Sequence, residues 1–186
     1  MKNRKLIKII TAALTAVLTA TVLFGCFGSD LNKANKMIKK SCDKFAYLTT
    51  QVVVTDGTQD VYKYTQKVEI IDGNAEIRKA TSKLNSSFEF STVEDVEFVE
   101  KVNKNDFINF VLSKDVIEES KFTKNVLNLV VKADKTAEFL NANGLLTDGN
   151  SANATFTFEN GTLKSAEITF NLQSGKKVVI TMNCEY

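Results

Sequence analysis

The 186-residue chain has no histidine, no tryptophan and no proline, and only eight glycines. Without histidine there can be no Ser-His-Asp triad, no Cys-His pair and no HExxH zinc site. Carboxylate, lysine and tyrosine chemistry stay formally open. No set of residues assembles a nucleophile, a base and an oxyanion site, so no enzyme activity, metal or cofactor is expected. Six of the glycines, Gly57, Gly73, Gly144, Gly149, Gly161 and Gly175, follow directly on Asp, Asn or Ser. That pairing serves tight turns with positive φ and leaves no glycine over for a phosphate loop. A basic excess is missing too. Four of the 24 Lys/Arg and none of the 22 Asp/Glu lie in residues 1–25, which leaves 20 basic and 22 acidic residues beyond them, a net of −2. Nothing in that balance favours nucleic acid as a partner.

What is present at the N-terminus sets the frame. Lys2, Arg4, Lys5 and Lys8 lead into an apolar run, Ile9 to Phe24, followed by Gly25 and Cys26. That is the layout of a secretory signal. Leu23-Phe24-Gly25-Cys26 resembles the lipobox of bacterial lipoproteins, with Phe24 where a small or β-branched residue is more usual. The resemblance implies cleavage before Cys26 and lipidation of its thiol, hence a chain held outside the cytoplasm on the cell membrane. The alternative is a single transmembrane helix, for which the run is short and carries four threonines. The expected organisation is therefore a signal peptide over residues 1–25, a tether over 26–30 and one domain over 31–186, long enough to bury a core.

Along that domain, Asp30 is expected to cap a helix running to about Leu48, with Leu31, Ala34, Ile38, Cys42, Phe45 and Leu48 on one stripe. Lys33, Lys36, Lys40 and Lys44 form a basic stripe that is either a solvated face or a contact for anionic headgroups. From Thr50 the period changes to two. Strands are expected at 51–55, at 61–71 with Tyr62, Tyr64, Val68 and Ile70 on one face, at 75–84, from Phe88, and at 126–132. Glu94 to Val102 is ambiguous between helix and strand, and Asp115 to Ser120 reads as a helical turn. A short helix is expected from Asp134 to about Ala142. The last third alternates cleanly through Ala154, Phe156, Phe158, then Ala166, Ile168, Phe170, then Val178, Ile180, Met182 and Cys184, giving two hairpins in series.

These elements predict an α+β fold: an N-terminal helix packed on a curved, mainly antiparallel sheet, a half-barrel-like meander, with a second short helix. About eight strands at ~4.8 Å span nearly 40 Å, while each helix covers ~10 Å. The sheet must therefore curl, be covered by loops such as Glu94 to Asn109, or leave an apolar concavity open. Cys42 and Cys184 both point into the core. They either form a disulfide, closing a loop that contributes roughly 5 kcal/mol on the entropic view, or stand as two buried thiols. Ser41-Cys42-Asp43-Lys44 matches S-x-x-K, but the companion elements of that catalytic set are missing. The acidic run Glu94, Asp95, Glu97, Glu100 lacks the glycine and alternating oxygens of a calcium loop and reads as a solvated face.

The leader, the amphipathic helix, the antiparallel meander and the closing pattern Phe158-Glu159-Asn160-Gly161-Thr162-Leu163, Ile168-Thr169-Phe170 and Gly175-Lys176-Lys177-Val178 together look similar to the LolA/LppX-like superfamily of cell-envelope lipoproteins and carriers. The likeness is one of architecture across residues 26–186. It implies a half-open barrel whose concave side holds a lipid or other apolar small molecule. The competing expectation is an envelope interaction or scaffold module that binds protein or glycan through an outer face or a sheet edge.

Overall fold

The computed structural model describes residues 27–141 and 150–186. The signal segment 1–25, Cys26 and the turns at Asn143-Gly144 and Asp148-Gly149 lie outside them. The described chain forms helix α1 (Phe27–Lys44), then β1 (Tyr47–Asp56), β2 (Gln59–Ile71), β3 (Asn74–Leu84) and β4 (Phe90–Val99). A 3-10 turn (Lys104–Asp106) follows, then β5 (Ile117–Thr123), β6 (Val126–Val131), a one-turn α2 (Thr136–Phe139), β7 (Asn153–Glu159), β8 (Thr162–Asn171) and β9 (Lys177–Glu185). All nine strands belong to one open sheet, ordered β4-β3-β2-β1-β9-β8-β7-β6-β5, and every neighbouring pair is antiparallel. The expected helix on a curved antiparallel sheet is present, but the molecule is more sheet-dominated than the α+β reading. None of the helices among the described residues is long and apolar enough to cross a membrane.

Two runs of sequential hairpins meet at the centre, where β1 pairs with β9 from Tyr47↔Glu185 to Thr55↔Lys177. The turns follow from local chemistry. At Asp72-Gly73 and Asn160-Gly161 both central residues have positive φ, between 51° and 80°. Only such primed turns match the twist of the strands they join.

Register places Leu48, Val68, Ile77, Cys184, Met182, Ala166, Phe156 and Leu127 on one side of the sheet. These are all buried, and α1 lies on that side with Leu31, Ala34, Ile38 and Cys42 turned inward. The helix begins at Phe27, earlier than the Asp30 cap predicts, so residues 27–30, expected as part of a tether, are its first turn. Asp30 has different work: its carboxylate accepts the backbone N–H of Phe122 on β5 at 3.1 Å. Lys33 stands over the Phe122 ring, 4.1 Å from its centroid.

The remaining cover is the segment from Val102 to Val116, joined to the β2–β3 turn by Val102 N–H donating to the Gly73 carbonyl. It buries Ile108, Leu112 and Val116 and delivers Phe110 to a cluster with Phe139 and Phe156, the last at 5.1 Å. Of the expected ways to close the sheet, coverage by a loop is realised, though over 102–116. Residues 94–99 of the anticipated loop are strand β4, and 115–120, expected as a helical turn, lie mostly in β5. Truncating Phe156, which is fully buried in this cluster, is expected to cost about 3–5 kcal/mol. Phe98→Ala, at a residue 75% exposed, should change stability by less than ~0.5 kcal/mol. Urea unfolding followed by circular dichroism measures both.

Candidate functional site

The residues that the sequence singles out converge where the end of α1 crosses β8 and β9. Ser41 is buried. Its hydroxyl donates to the Met37 carbonyl at 2.7 Å and accepts the Leu163 N–H at 2.6 Å, while the Tyr186 hydroxyl donates to the Leu163 carbonyl at 2.5 Å. A serine so engaged fastens helix to sheet and has no free hydroxyl to act as a nucleophile. Lys44, which completes the S-x-x-K pattern, is exposed at the helix end.

Cys42 and Cys184 enter the same region of core, both as free thiols. Cys42 Sγ–H donates to the Ile108 carbonyl at 3.4 Å. Burial pushes both thiols up, Cys184 to about 12, with the charge of nearby Cys42 adding to the rise. Thiolate is the reactive form, so these sulfurs act as small core hydrophobes. The lipidation residue, Cys26, lies outside the described residues.

The cover described above does not reach the whole core side. Beyond Leu48 and Val68 the same register passes Thr50 and Gln66 and then runs through Val52 and Val54 of β1, Tyr64 and Tyr62 of β2, and Ile180 of β9. These five side chains are only partly buried. They form a short apolar trough across β9, β1 and β2 that runs about 7 Å along β1, from Val52 to Val54. Tyr64 donates its hydroxyl to Gln66 Oε1 at 2.8 Å, and burial raises its pKa. Lys79, paired with Glu97 at 2.6 Å, stands on the same side and forms a charged rim. The sequence showed the tyrosines as one face but gave no sign that Val52, Val54 and Ile180 would join them, because that depends on the β1–β9 pairing.

The outer side of the sheet differs. Thr155, Thr157, Ser165, Glu167, Thr181 and Asn183 line a shallow concavity of about 390 Å³, and Glu159, Asn160, Lys164, Glu185 and Tyr186 line another of about 400 Å³. Both linings are polar and suit no apolar ligand. The acidic run on β4 is divided by strand alternation, with Glu94 on the outer side and Asp95 and Glu97 on the core side. Of the basic stripe on α1, Lys33 is committed to Phe122, and Lys40 donates to the Asn160 carbonyl at 3.4 Å.

Removing the Ser41 hydroxyl strands the buried Leu163 N–H, so Ser41→Ala should cost ~1–3 kcal/mol in urea unfolding. In a Cys26→Ser chain, alkylation in denaturant without reductant should add two adducts, against none for a disulfide. In the native state at pH 8, Cys184 should react roughly a thousandfold slower than a free thiol.

No protein-family model matches the chain, and no curated protein is similar to it. Among solved structures, the dehydratase domain of the polyketide PpsC from Mycobacterium tuberculosis is similar at 11% identity, over 82% of this chain and 83% of that one. Its TM-score is 0.22, a superposition too loose to carry an argument about fold or activity.

Proposed function

We propose that this protein is a non-catalytic bacterial lipoprotein, anchored outside the cytoplasm through Cys26, that holds a lipid or other apolar small molecule against the core side of its curved sheet. The observation that carries this reading is the partly exposed trough of Val52, Val54, Tyr62, Tyr64 and Ile180, which lies on the core side of the sheet past Thr50 and Gln66. Apolar area left in water costs about 25 cal/mol per Å², and a ligand that covers it recovers that amount. The sheet acts here as an unclosed half-barrel, its covered half supplying rigidity and its uncovered half the binding surface.

The leader fits the same role. With residues 27–30 already helical, the domain starts directly after Cys26. An acylated Cys26 therefore holds the sheet close to the bilayer, where apolar ligands are abundant.

Two measurements test the reading. The intact mass of chain extracted from membranes should begin at Cys26 and carry a diacylglycerol, and Cys26→Ser should abolish that adduct; retention of residues 1–25 in the finished protein would overturn the anchor. Native mass spectrometry after gentle extraction should show copurified lipid, and Val54→Asp should lower its occupancy at least tenfold. A ligand-free mass, with no binding of a fluorescent fatty acid, would overturn the carrier role.

A further inference from the structure

An open antiparallel sheet has two edges, and this one treats them differently. The β5 edge is guarded: the Asp30 carboxylate takes the Phe122 N–H, α1 packs along the strand, and an irregularity of register between Ile117 and Glu119 bends it. Among the described residues, nothing covers the β4 edge. Strand β4 is ten residues long, pairs with β3 in unbroken register from Leu84↔Phe90 to Ala75↔Val99, and is exposed at every position but Val99. Natural sheets protect such an edge with a bulge, a proline, a covering element or charged side chains, inward-pointing ones included; β4 has no bulge, proline or lysine, and its protection is acidic alone, with Asp95 and Glu97 on the core side. It presents Phe90, Val96 and Phe98 on the outer side and Val93 on the core side, with Val93 68% and Phe98 75% exposed.

Its charges are all of one sign. Glu94, Asp95 and Glu97 lie within it, Glu89 and Glu100 flank it, and it contains no Lys or Arg. That excludes a second copy of β4, since the central antiparallel registers would set acid opposite acid, which is destabilising. The β5 edge of a second copy is already engaged at Phe122 by its own Asp30, is bent at Ile117/Glu119, and carries Glu118 and Glu119 against a single Lys121. What fits is an extended strand with the opposite charge and the same order of charged and apolar residues.

We infer that β4 is a docking edge for an extended segment of another protein, in which Lys or Arg residues are interspersed with apolar ones, added to the sheet as a tenth strand. Main-chain hydrogen bonds to the unpaired groups of β4 supply affinity, and side-chain pairs supply specificity. Cations stand opposite Glu94, Asp95 and Glu97, and apolar residues stand opposite Val93, Val96 and Phe98. The edge lies two strands beyond the apolar trough, with β3 between, so a docked segment leaves the trough accessible.

The test uses the detergent-solubilised full chain and a fluorescein-labelled ten-residue peptide with lysines opposite Glu94, Asp95 and Glu97 and valines opposite Val93, Val96 and Phe98. Fluorescence anisotropy should show saturable binding. A Glu94→Lys, Asp95→Lys double variant should weaken it at least tenfold. So should a peptide N-methylated at the alternate residues that would bond β4; it keeps the charge but loses the donors. Hydrogen exchange should slow at alternate β4 amides when peptide is present. Absence of binding, or binding unchanged by N-methylation and without β4 protection, would overturn the proposal. The peptide comparison on the unaltered chain decides the matter even if the double variant fails to fold.

Discussion

Everything in this molecule depends on the antiparallel pairing of β1 with β9. Each run of hairpins, β1–β4 and β5–β9, is local in sequence, and neither has both a helix and a full apolar face to bury. The nine-residue register from Tyr47↔Glu185 to Thr55↔Lys177 splices them into one sheet. It also sets Leu48 beside Cys184, under the inner face of α1. Ser41 then fastens the helix to β8 through the Leu163 N–H. Helix, first strand and last strand are thereby one mechanical unit, and the two wings of the sheet extend from it.

The wings diverge in how they meet water. On the β5 side, α1, the Val102–Val116 segment and the Phe110–Phe139–Phe156 cluster leave a dry core. On the β4 side the sheet outruns its cover, because one long helix and one loop cannot span nine strands at ~4.8 Å spacing. Two consequences follow at different places: an apolar trough on the core side of β1 and β2, and a bare acidic edge at β4. The first is the surface proposed for a small apolar ligand, the second the edge proposed for a strand. They need not compete, since they face different directions.

Much of this was legible in the sequence where burial and period agree. Strands β6 to β9 were readable because inward residues such as Phe156, Ile168 and Met182 alternate with Thr, Glu and Asn, and the Asn160-Gly161 turn fixes their register. Strand β4 was ambiguous because it has no buried face to enforce alternation, and Val96, Val99 and Val102 fall at a helical spacing of three. Strand β5 was misread because the irregularity at Ile117/Glu119 shifts its phase and Ser120 occupies a core-side position. Asp30 looked like a cap because nothing local announces a partner 92 residues away. The trough was illegible for the same reason: Val52 and Ile180 become neighbours only through a pairing between opposite ends of the domain.

That splice has an outcome in time as well as in space. The strand that completes the centre of the sheet is the last of the nine to be synthesised, so neither wing can consolidate its shared core until the whole domain has emerged. Non-local closure of this kind is slow and leaves apolar strands uncovered meanwhile. A polypeptide with its keystone at the tail delays closure until its last strand is made, an order compatible with the export proposed for this chain.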